Sequence, residues 1–283
     1  MNILNFIGNT PILEICDSIL LKLEMKNPTG SVKDRAAYHI LKSEGLPRGS
    51  NIVEATSGNF GISLAMLSAV MGYNFTAVMP YSASPERESL IQAYGGSVVR
   101  CDSMADAVAL AEKVEGFKPR QFTNTKNPEA HYLTTGPEIW HDTDGAVDIL
   151  VAGVGSGGTL MGTGRFLKER NHSLRIIAVE PEASPMLSLG KAGKHSIEGI
   201  GANFLPPLFD RSLVDEIVLV SDADADRYAL LLAQKYGIFA GPSSGAALCA
   251  ALKIREKMEG IIAVILPDNG YRYLTRPDFL VKT

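Results

Sequence analysis

Four glycines lie close together in residues 153–159, which read Gly-Val-Gly-Ser-Gly-Gly-Thr. The segment follows a short apolar run and precedes a stretch with helical periodicity. Glycines let backbone N–H groups approach an anion closely, and the N-terminus of a helix adds partial positive charge. The loop therefore predicts a phosphate site. Its predicted contacts are Gly155, Ser156, Gly157, Gly158 and Thr159.

The same loop also matches the dinucleotide pattern Gly-x-Gly-x-x-Gly at Gly153, Gly155 and Gly158. The next apolar run, 175–179, is followed by Glu180, close to where an acid that binds a ribose hydroxyl is expected. Taken alone, this segment suggests a nicotinamide or flavin site. That hypothesis leaves the polar strand–helix junctions 54–59 and 241–245, as well as the sequence around Lys33, unexplained.

Lys33 lies in residues 27–35, which read Asn-Pro-Thr-Gly-Ser-Val-Lys-Asp-Arg. In this string the chain resembles the cysteine synthase and cystathionine β-synthase family of pyridoxal-phosphate (PLP) enzymes. Further matches follow in the family's order over nearly the whole chain. They are residues 7–11 (Ile-Gly-Asn-Thr-Pro), 56–59 (Thr-Ser-Gly-Asn), 153–159, 198–201 (Glu-Gly-Ile-Gly) and 243–245 (Ser-Ser-Gly).

The resemblance implies that Lys33 binds PLP as a Schiff base. Such a bond requires a neutral amine, and a helix N-terminus or a nearby cation such as Arg35 would help to lower the pKa of the lysine. Asp34 and Arg35 either begin a solvated helix or brace the turn that carries Lys33. We assign neither of them a direct chemical role.

The junction at residues 56–59 offers hydroxyls and backbone amides at the expected start of a helix, which suits a carboxylate. A helix N-cap is the alternative interpretation. The resemblance implies that this loop binds the substrate carboxylate, that Asn59 also reaches the ring hydroxyl of the cofactor, and that Gly199 borders the site. The predicted substrate contacts are Thr56, Ser57, Gly58, Asn59, Gln121 and Gly199.

Ser243 matches the family residue that faces the pyridine nitrogen. A carboxylate there would keep the nitrogen protonated, whereas a hydroxyl leaves it largely neutral and makes the ring a weaker electron sink. A weaker sink favours elimination across Cα–Cβ over transamination or racemisation. Ser243 is also a candidate N-cap for the alanine-rich helix that follows, and one hydroxyl is able to serve both purposes.

The resemblance implies a β-replacement that makes L-cysteine from O-acetylserine and sulfide through an α-aminoacrylate, with Lys33 removing the α-proton. Alternatives are a related enzyme that uses O-phosphoserine, serine or cysteine with another nucleophile, and a catalytically idle amino-acid-binding relative. Phe60 stands where cysteine synthases commonly have Thr, which leaves the substrate open. Glu198 disfavours a phosphorylated donor, although Arg87, Arg165 or Arg211 could bring positive charge after folding.

Short β-branched runs alternate with stretches of helical periodicity, which predicts an α/β fold with parallel sheets covered by helices on both faces. The predicted strands are 19–24, 51–54, 75–79, 97–101, 149–152, 175–179, 216–220 and 261–266. The predicted helices are 32–43, 60–71, 86–94, 104–114, 159–169, 223–234 and 244–257. The resemblance implies the two-lobed fold-type II architecture, with the site in the cleft between a smaller mobile lobe, 35–130, and a larger cofactor-binding lobe, 1–34 and 131–283.

The composition of the 283 residues narrows the choice of partners. A net charge of −4 argues against a nucleic-acid partner, and no apolar run approaches the length of a membrane helix. Cys16, Cys101 and Cys249 are widely spaced, and the histidines have no metal-ligand spacing, so we expect no metal. Because no secretory signal is evident either, we expect a cytoplasmic protein, and the resemblance implies a homodimer.

Overall fold

The computed structural model of the chain describes residues 2–16, 18–276 and 279. Its strands are β1 (Ile12–Cys16), β2 (Ile19–Leu23), β3 (Asn51–Ala55), β4 (Asn74–Pro80), β5 (Ser97–Cys101), β6 (Val147–Gly153), β7 (Arg175–Pro181), β8 (Glu216–Val220) and β9 (Ile261–Leu266). Its helices are α1 (Lys33–Glu44), α2 (Asn59–Met71), α3 (Pro85–Ala93), α4 (Met104–Lys113), α5 (Lys126–Leu133), α6 (Thr135–Asp142), α7 (Gly158–Arg170), α8 (Met186–Leu189), α9 (Asp222–Tyr236) and α10 (Pro242–Arg255). Short 3-10 helices cover Ile3–Phe6, Glu24–Lys26, Arg211–Leu213 and Gly270–Tyr273.

The described strands form two sheets. The larger has the order β1-β2-β9-β6-β7-β8 and the smaller has the order β3-β4-β5. Every neighbouring pair is parallel except β1 and β2, which are antiparallel. This arrangement confirms the predicted α/β fold with parallel sheets and flanking helices. In such sheets ligands bind beyond the carboxyl ends of the strands, which is where the polar junctions lie.

Each sheet has its own apolar core. Leu21, Val151 and Val264 are fully buried in the larger sheet and share one apolar core with the alanine-rich helix α10. Because alanine side chains are small, α10 lies close to the strands and is buried over most of its length. The core of the smaller sheet includes Ile52 and Leu64. Each fully buried aliphatic side chain of this kind contributes roughly 1.5–3 kcal/mol to folding.

All eight predicted strands form, and the seven predicted helices form with ends shifted by at most a few residues. The prediction missed β1, α5, α6 and α8. β1 is an edge strand of five residues whose central side chains, Leu13 and Glu14, are exposed. Helix α5 contains Pro128 and is only eight residues long.

The predicted division at 35–130 stays a prediction. The smaller sheet lies within residues 51–101, inside the predicted smaller lobe. Helix α1, however, packs on both α2 and α5, and α5 spans the predicted boundary at residue 130.

Candidate active site

A cleft of about 340 Å³ opens beyond the carboxyl end of β3, and a smaller cavity of about 40 Å³ adjoins it. Lys33, Asn59, Gly155, Ser156 and Gly199 line both. The larger cleft adds four predicted substrate contacts: Thr56, Ser57, Gly58 and Gln121. The smaller cavity adds three predicted cofactor contacts: Gly157, Thr159 and Ser243. Of the predicted site residues, only Gly158 lines neither space.

Lys33 is the first residue of α1 and is half-buried at the floor of both spaces. Burial lowers the pKa of its amine, and the negative charge of Asp268 opposes that effect. We expected Arg35 to assist. Instead, Arg35 forms ion pairs with Glu24 at 2.7 Å and with Glu138 at 2.6 Å. Burial is therefore the effect that favours a neutral amine at Lys33.

Asp34 braces the turn that precedes Lys33. Its carboxylate accepts hydrogen bonds from the Thr29 backbone N–H at 2.7 Å and from the Thr29 hydroxyl at 2.6 Å. The Ser63 hydroxyl on α2 donates to the same carboxylate at 2.5 Å. Because Asp34 is buried, the interpretation of this residue as part of a solvated helix start is wrong.

The glycine loop between β6 and α7 requires its glycines for different reasons. A Cβ at Gly155 would lie 2.4 Å from the carbonyl oxygen of Gly199, and Gly157 has a φ of +90°. A Cβ at Gly158 would lie 2.0 Å from Oδ1 of Asn127, so this glycine serves the packing of the loop. The loop thus keeps its backbone N–H groups at the positive end of α7, an arrangement suited to an anion.

Two side chains outside the loop hold it in place, and sequence reasoning did not identify either role. Nδ2 of Asn127 donates to the Ser156 hydroxyl at 2.9 Å. Nε2 of His131 lies 3.2 Å from the Thr159 hydroxyl. Burial lowers the pKa of His131 to about 3, so its ring is neutral and acts as a hydrogen-bonding partner. Neither residue lies in a recognisable motif, and both lie on α5, a helix that was not predicted from the sequence.

The loop at residues 56–59 joins β3 to α2, which begins at Asn59. Gly58 precedes the helix and no side chain caps it, so the hydroxyls of Thr56 and Ser57 are not used as a helix cap. Nδ2 of Asn59 donates to Asp268 at 2.6 Å, and Arg272 donates to Oδ1 of the same amide. The side chain of Asn59 is therefore fixed from both sides.

Gln121 reaches the cleft because Glu54 holds its backbone. The Glu54 carboxylate accepts hydrogen bonds from the N–H groups of Arg120 at 2.9 Å and Gln121 at 3.2 Å. Burial raises the pKa of Glu54 to about 7. Glu54 is a supporting residue that the sequence analysis did not single out.

Phe60 lines the cleft but is 1% exposed and also belongs to the core of the smaller sheet. Ser243 is the second residue of α10, and Gly241 occupies the N-cap position, so the interpretation of Ser243 as a helix cap is wrong.

The three arginines considered for a phosphorylated donor lie in different places. Arg87 lines the cleft, where Nη1 pairs with Glu198 at 2.5 Å and donates to the carbonyl oxygen of Ser57 at 3.2 Å. Arg165 lines a separate cavity, and Arg211 donates to the carbonyl oxygen of Val214 at 2.6 Å. Of the three, Arg87 is the one that contacts the loop at residues 56–59.

Comparison with known proteins assigns this site to a family. Residues 3–268 match the family described as "Pyridoxal-phosphate dependent enzyme". The chain belongs to this family of pyridoxal-phosphate-dependent enzymes. It is 41% identical to a cysteine synthase of Staphylococcus aureus, over 98% of this chain and 96% of that protein.

Solved structures agree with this assignment. A cysteine synthase from Entamoeba histolytica superposes with a TM-score of 0.94 at 39% identity, covering 100% of this chain and 91% of that chain. A hydrogen sulfide-producing enzyme from Fusobacterium nucleatum superposes with a TM-score of 0.92 at 38% identity, covering 96% and 99%. The chain is a PLP-dependent enzyme of the cysteine synthase type.

The residues present fit PLP. The site offers an amine at Lys33, a glycine loop packed too closely on the Gly199 backbone to admit a Cβ at Gly155, and a buried hydroxyl at Ser243. A dinucleotide fits less well. The carboxylate of Glu180 is buried and accepts hydrogen bonds from the N–H groups of Leu187 at 2.7 Å and Ser188 at 3.0 Å, so it is not available to a ribose.

No group of three or more His, Cys, Asp or Glu side chains in the described ranges could hold a metal ion. Within the same ranges, no helix has the length and apolar character needed to cross a membrane.

Proposed function

We propose that this enzyme makes L-cysteine by replacing the acetate of O-acetyl-L-serine with sulfide. The observation that carries the proposal is that three groups line the cleft and its adjoining cavity: the amine of Lys33, the glycine loop before α7 and the polar loop before α2. The similarity to cysteine synthases over nearly the whole chain supports it.

The glycine loop would hold the phosphate of PLP, Asn59 its ring hydroxyl, Ser243 its ring nitrogen and Lys33 its aldehyde carbon. When bound, PLP withdraws electron density from the substrate carbon framework. With substrate bound, Nζ of Lys33 would take the proton from the substrate Cα. Burial lowers the pKa of this amine and so favours its neutral form, the form that accepts a proton.

The substrate carboxylate would bind to the hydroxyls of Thr56 and Ser57 and to the N–H groups at the start of α2, with Gln121 as a further contact. Ser243 provides a hydroxyl where a carboxylate would strengthen the electron sink, which suits loss of a β-substituent. Closure of residues 35–130 over the cleft would exclude water from the reaction.

The charges in the cleft favour a donor with a neutral β-substituent. Arg87 is buried and lies next to the substrate loop, but Glu198 already neutralises it at 2.5 Å. A phosphoryl group next to Arg87 would either displace the Glu198 carboxylate or be repelled by it. The acetyl ester of O-acetylserine is uncharged, so Glu198 does not repel it when the donor binds. We therefore place O-acetylserine ahead of O-phosphoserine.

A comparison of four amino acids tests this choice. The holoenzyme is mixed with O-acetylserine, O-phosphoserine, serine or cysteine, and both the cofactor absorbance and cysteine formation with sulfide are followed. We expect the largest absorbance change and the highest kcat/KM with O-acetylserine. A higher kcat/KM for O-phosphoserine or serine would contradict the proposal.

The cysteine sample tests a second candidate. The structural similarity to the hydrogen sulfide-producing enzyme of Fusobacterium nucleatum favours cysteine as an alternative substrate, with sulfide as the leaving group. Sulfide release from cysteine faster than cysteine synthesis would favour that function. An idle amino-acid-binding protein would show neither reaction, and the presence of Lys33, Asn59 and Ser243 in one site argues against it.

We also propose a cytoplasmic homodimer, by analogy with the family. Sedimentation of the purified protein tests the second part, since a dimer has twice the 30.4 kDa of the chain.

A further inference from the structure

A buried carboxylate lies immediately after β9, in a position that the proposed reaction does not yet use. Asp268 is 1% exposed and lines the smaller cavity together with Lys33 and Ser243. An unpaired buried carboxylate is costly, so a side chain of this kind requires either partners or a function.

The backbone around Asp268 joins two parts of the site. The carbonyl oxygen of Pro267 accepts a hydrogen bond from the N–H of Val32 at 2.8 Å, next to Lys33. The carbonyl oxygen of Asp268 accepts one from the N–H of Gly241 at 3.1 Å, next to the start of α10. Asp268 is thus held at a fixed place between the lysine turn and the Ser243 loop.

The side chain of Asp268 reaches the third part, the substrate loop. Its Oδ2 accepts hydrogen bonds from Nδ2 of Asn59 at 2.6 Å and from the Tyr273 hydroxyl at 2.5 Å. Its Oδ1 is buried and has no hydrogen-bond partner among the described residues. Arg272 donates to Oδ1 of Asn59 and to the carbonyl oxygen of Thr29. The Asn59 amide is therefore oriented by an anion on one side and a cation on the other.

The hydrogen bonds favour the ionised form of Asp268. Both are donated to Oδ2, so that oxygen carries no proton, and a proton on Oδ1 would find no acceptor. Burial raises the pKa of Asp268, and Arg272, Tyr273, Asn59 and Arg87 oppose that rise without cancelling it. Lys33 on α1 is a further titratable group that faces Asp268. The charge of Glu198 acts on Tyr273, whose hydroxyl donates to Asp268.

We propose that Asp268 is a positioning residue for the β-replacement: it orients the amide of Asn59 and supplies the negative charge opposite the ammonium that Lys33 becomes during proton transfer. In that step the Cα–H bond breaks and an N–H bond forms at Nζ. The electron pair stays with the substrate, and Asp268 neither gains nor loses a proton. The inference rests on the proposed function, because it takes Lys33 as the base.

The variant D268N separates charge from shape. Its amide oxygen accepts the hydrogen bonds from Asn59 and Tyr273, but it has no negative charge. We expect the acid limb of the kcat–pH profile to move to lower pH by roughly 1 unit, because an amine that loses a nearby anion has a lower pKa. We also expect kcat on the plateau to fall about tenfold, a change of about 1.4 kcal/mol in the activation free energy.

Tyr273→Phe is the matched control. It removes a donor to the same carboxylate oxygen and keeps the charge, so its acid limb should not move to lower pH. Equilibrium binding of PLP, followed by its visible absorbance, should remain within a few fold of wild type in D268N. Should D268N fail to bind PLP, D268S is measured in the same way, and the same downward shift is expected.

An unchanged acid limb in the charge-free variant would overturn the inference, as would equal shifts in D268N and Y273F. Failure of the proposed function gives a different result. In that case the wild-type holoenzyme itself either prefers another of the four amino acids or shows no absorbance change with any of them, and both results are read on wild type without the D268N variant.

Discussion

At the scale of single residues, burial sets the chemistry of this site. It lowers the pKa of Lys33 and raises that of Glu54 to about 7. Glu54 also stabilises an unfavourable backbone conformation. It accepts a hydrogen bond from the N–H of Arg120, whose φ is 52°. Left-handed conformations cost free energy in residues other than glycine, so the loop that carries Gln121 depends on this carboxylate.

The raised pKa of Glu54 predicts a pH-dependent stability. The pKa rises from 4.5 to about 7 in the fold, so between these values the unfolded chain releases its proton while the native chain keeps it. The free energy of unfolding therefore falls as pH rises from about 4.5 to about 7, by about 3 kcal/mol. Glu54→Gln should flatten this part of the curve, as measured by urea unfolding at a series of pH values.

Glu112→Gln is the matched control for that experiment. Glu112 pairs with the same Arg120, but its side chain is 49% exposed, so its removal should leave the slope unchanged. Equal slopes in Glu54→Gln and wild type would show that Glu54 does not keep its proton in the folded protein.

At the scale of secondary-structure elements, a buried ionic network holds the lysine turn against the larger sheet. Arg35 on α1 pairs with Glu24 in the 3-10 helix after β2 and with Glu138 on α6. Lys22 on β2 extends the network to Glu138 at 3.0 Å and to Asp142 at 2.8 Å. Burial opposes ionisation of Glu24, but the charge and hydrogen bonds of Arg35 outweigh it and lower the pKa of Glu24 to about 2.

Arg35→Met should destabilise the protein by about 3–5 kcal/mol, because it leaves buried carboxylates without their cation. The matched control is Arg120→Met, which breaks an exposed pair and should cost less than about 1 kcal/mol. Urea unfolding of the two variants measures the difference. A loss for Arg35→Met no larger than that of the control would refute the structural importance of the network.

The sequence predicted the long helices and strands and many of the residues that line the cleft. It did not predict the side chains that hold those residues in place. Periodicity located the long elements, and ordered motifs brought Lys33, the substrate loop, the phosphate loop and Ser243 to one cleft. Asn127, His131 and Asp268 were not identified, because their roles come from contacts between distant segments. The ion pairs of Arg35 were missed for the same reason, since Glu138 lies on a short helix with no predictive pattern.

At the scale of the whole molecule, the cleft lies where the ends of two sheets meet. The carboxyl end of β3 supplies the loop at residues 56–59, and those of β6 and β9 supply the glycine loop and Asp268. Lys33 lines both spaces and carries the amine that lies between these parts. We propose that the function of the molecule depends on a covalent bond between this amine and PLP.

Reduction of the holoprotein with borohydride, followed by peptide mass mapping, tests that bond most directly. Reduction makes the bond between cofactor and lysine permanent. We predict a pyridoxyl label on the peptide that contains Lys33, and loss of both the label and the visible absorbance band in Lys33→Ala. A label on another lysine, no label despite excess PLP, or a nicotinamide dinucleotide in the cleft would contradict the account.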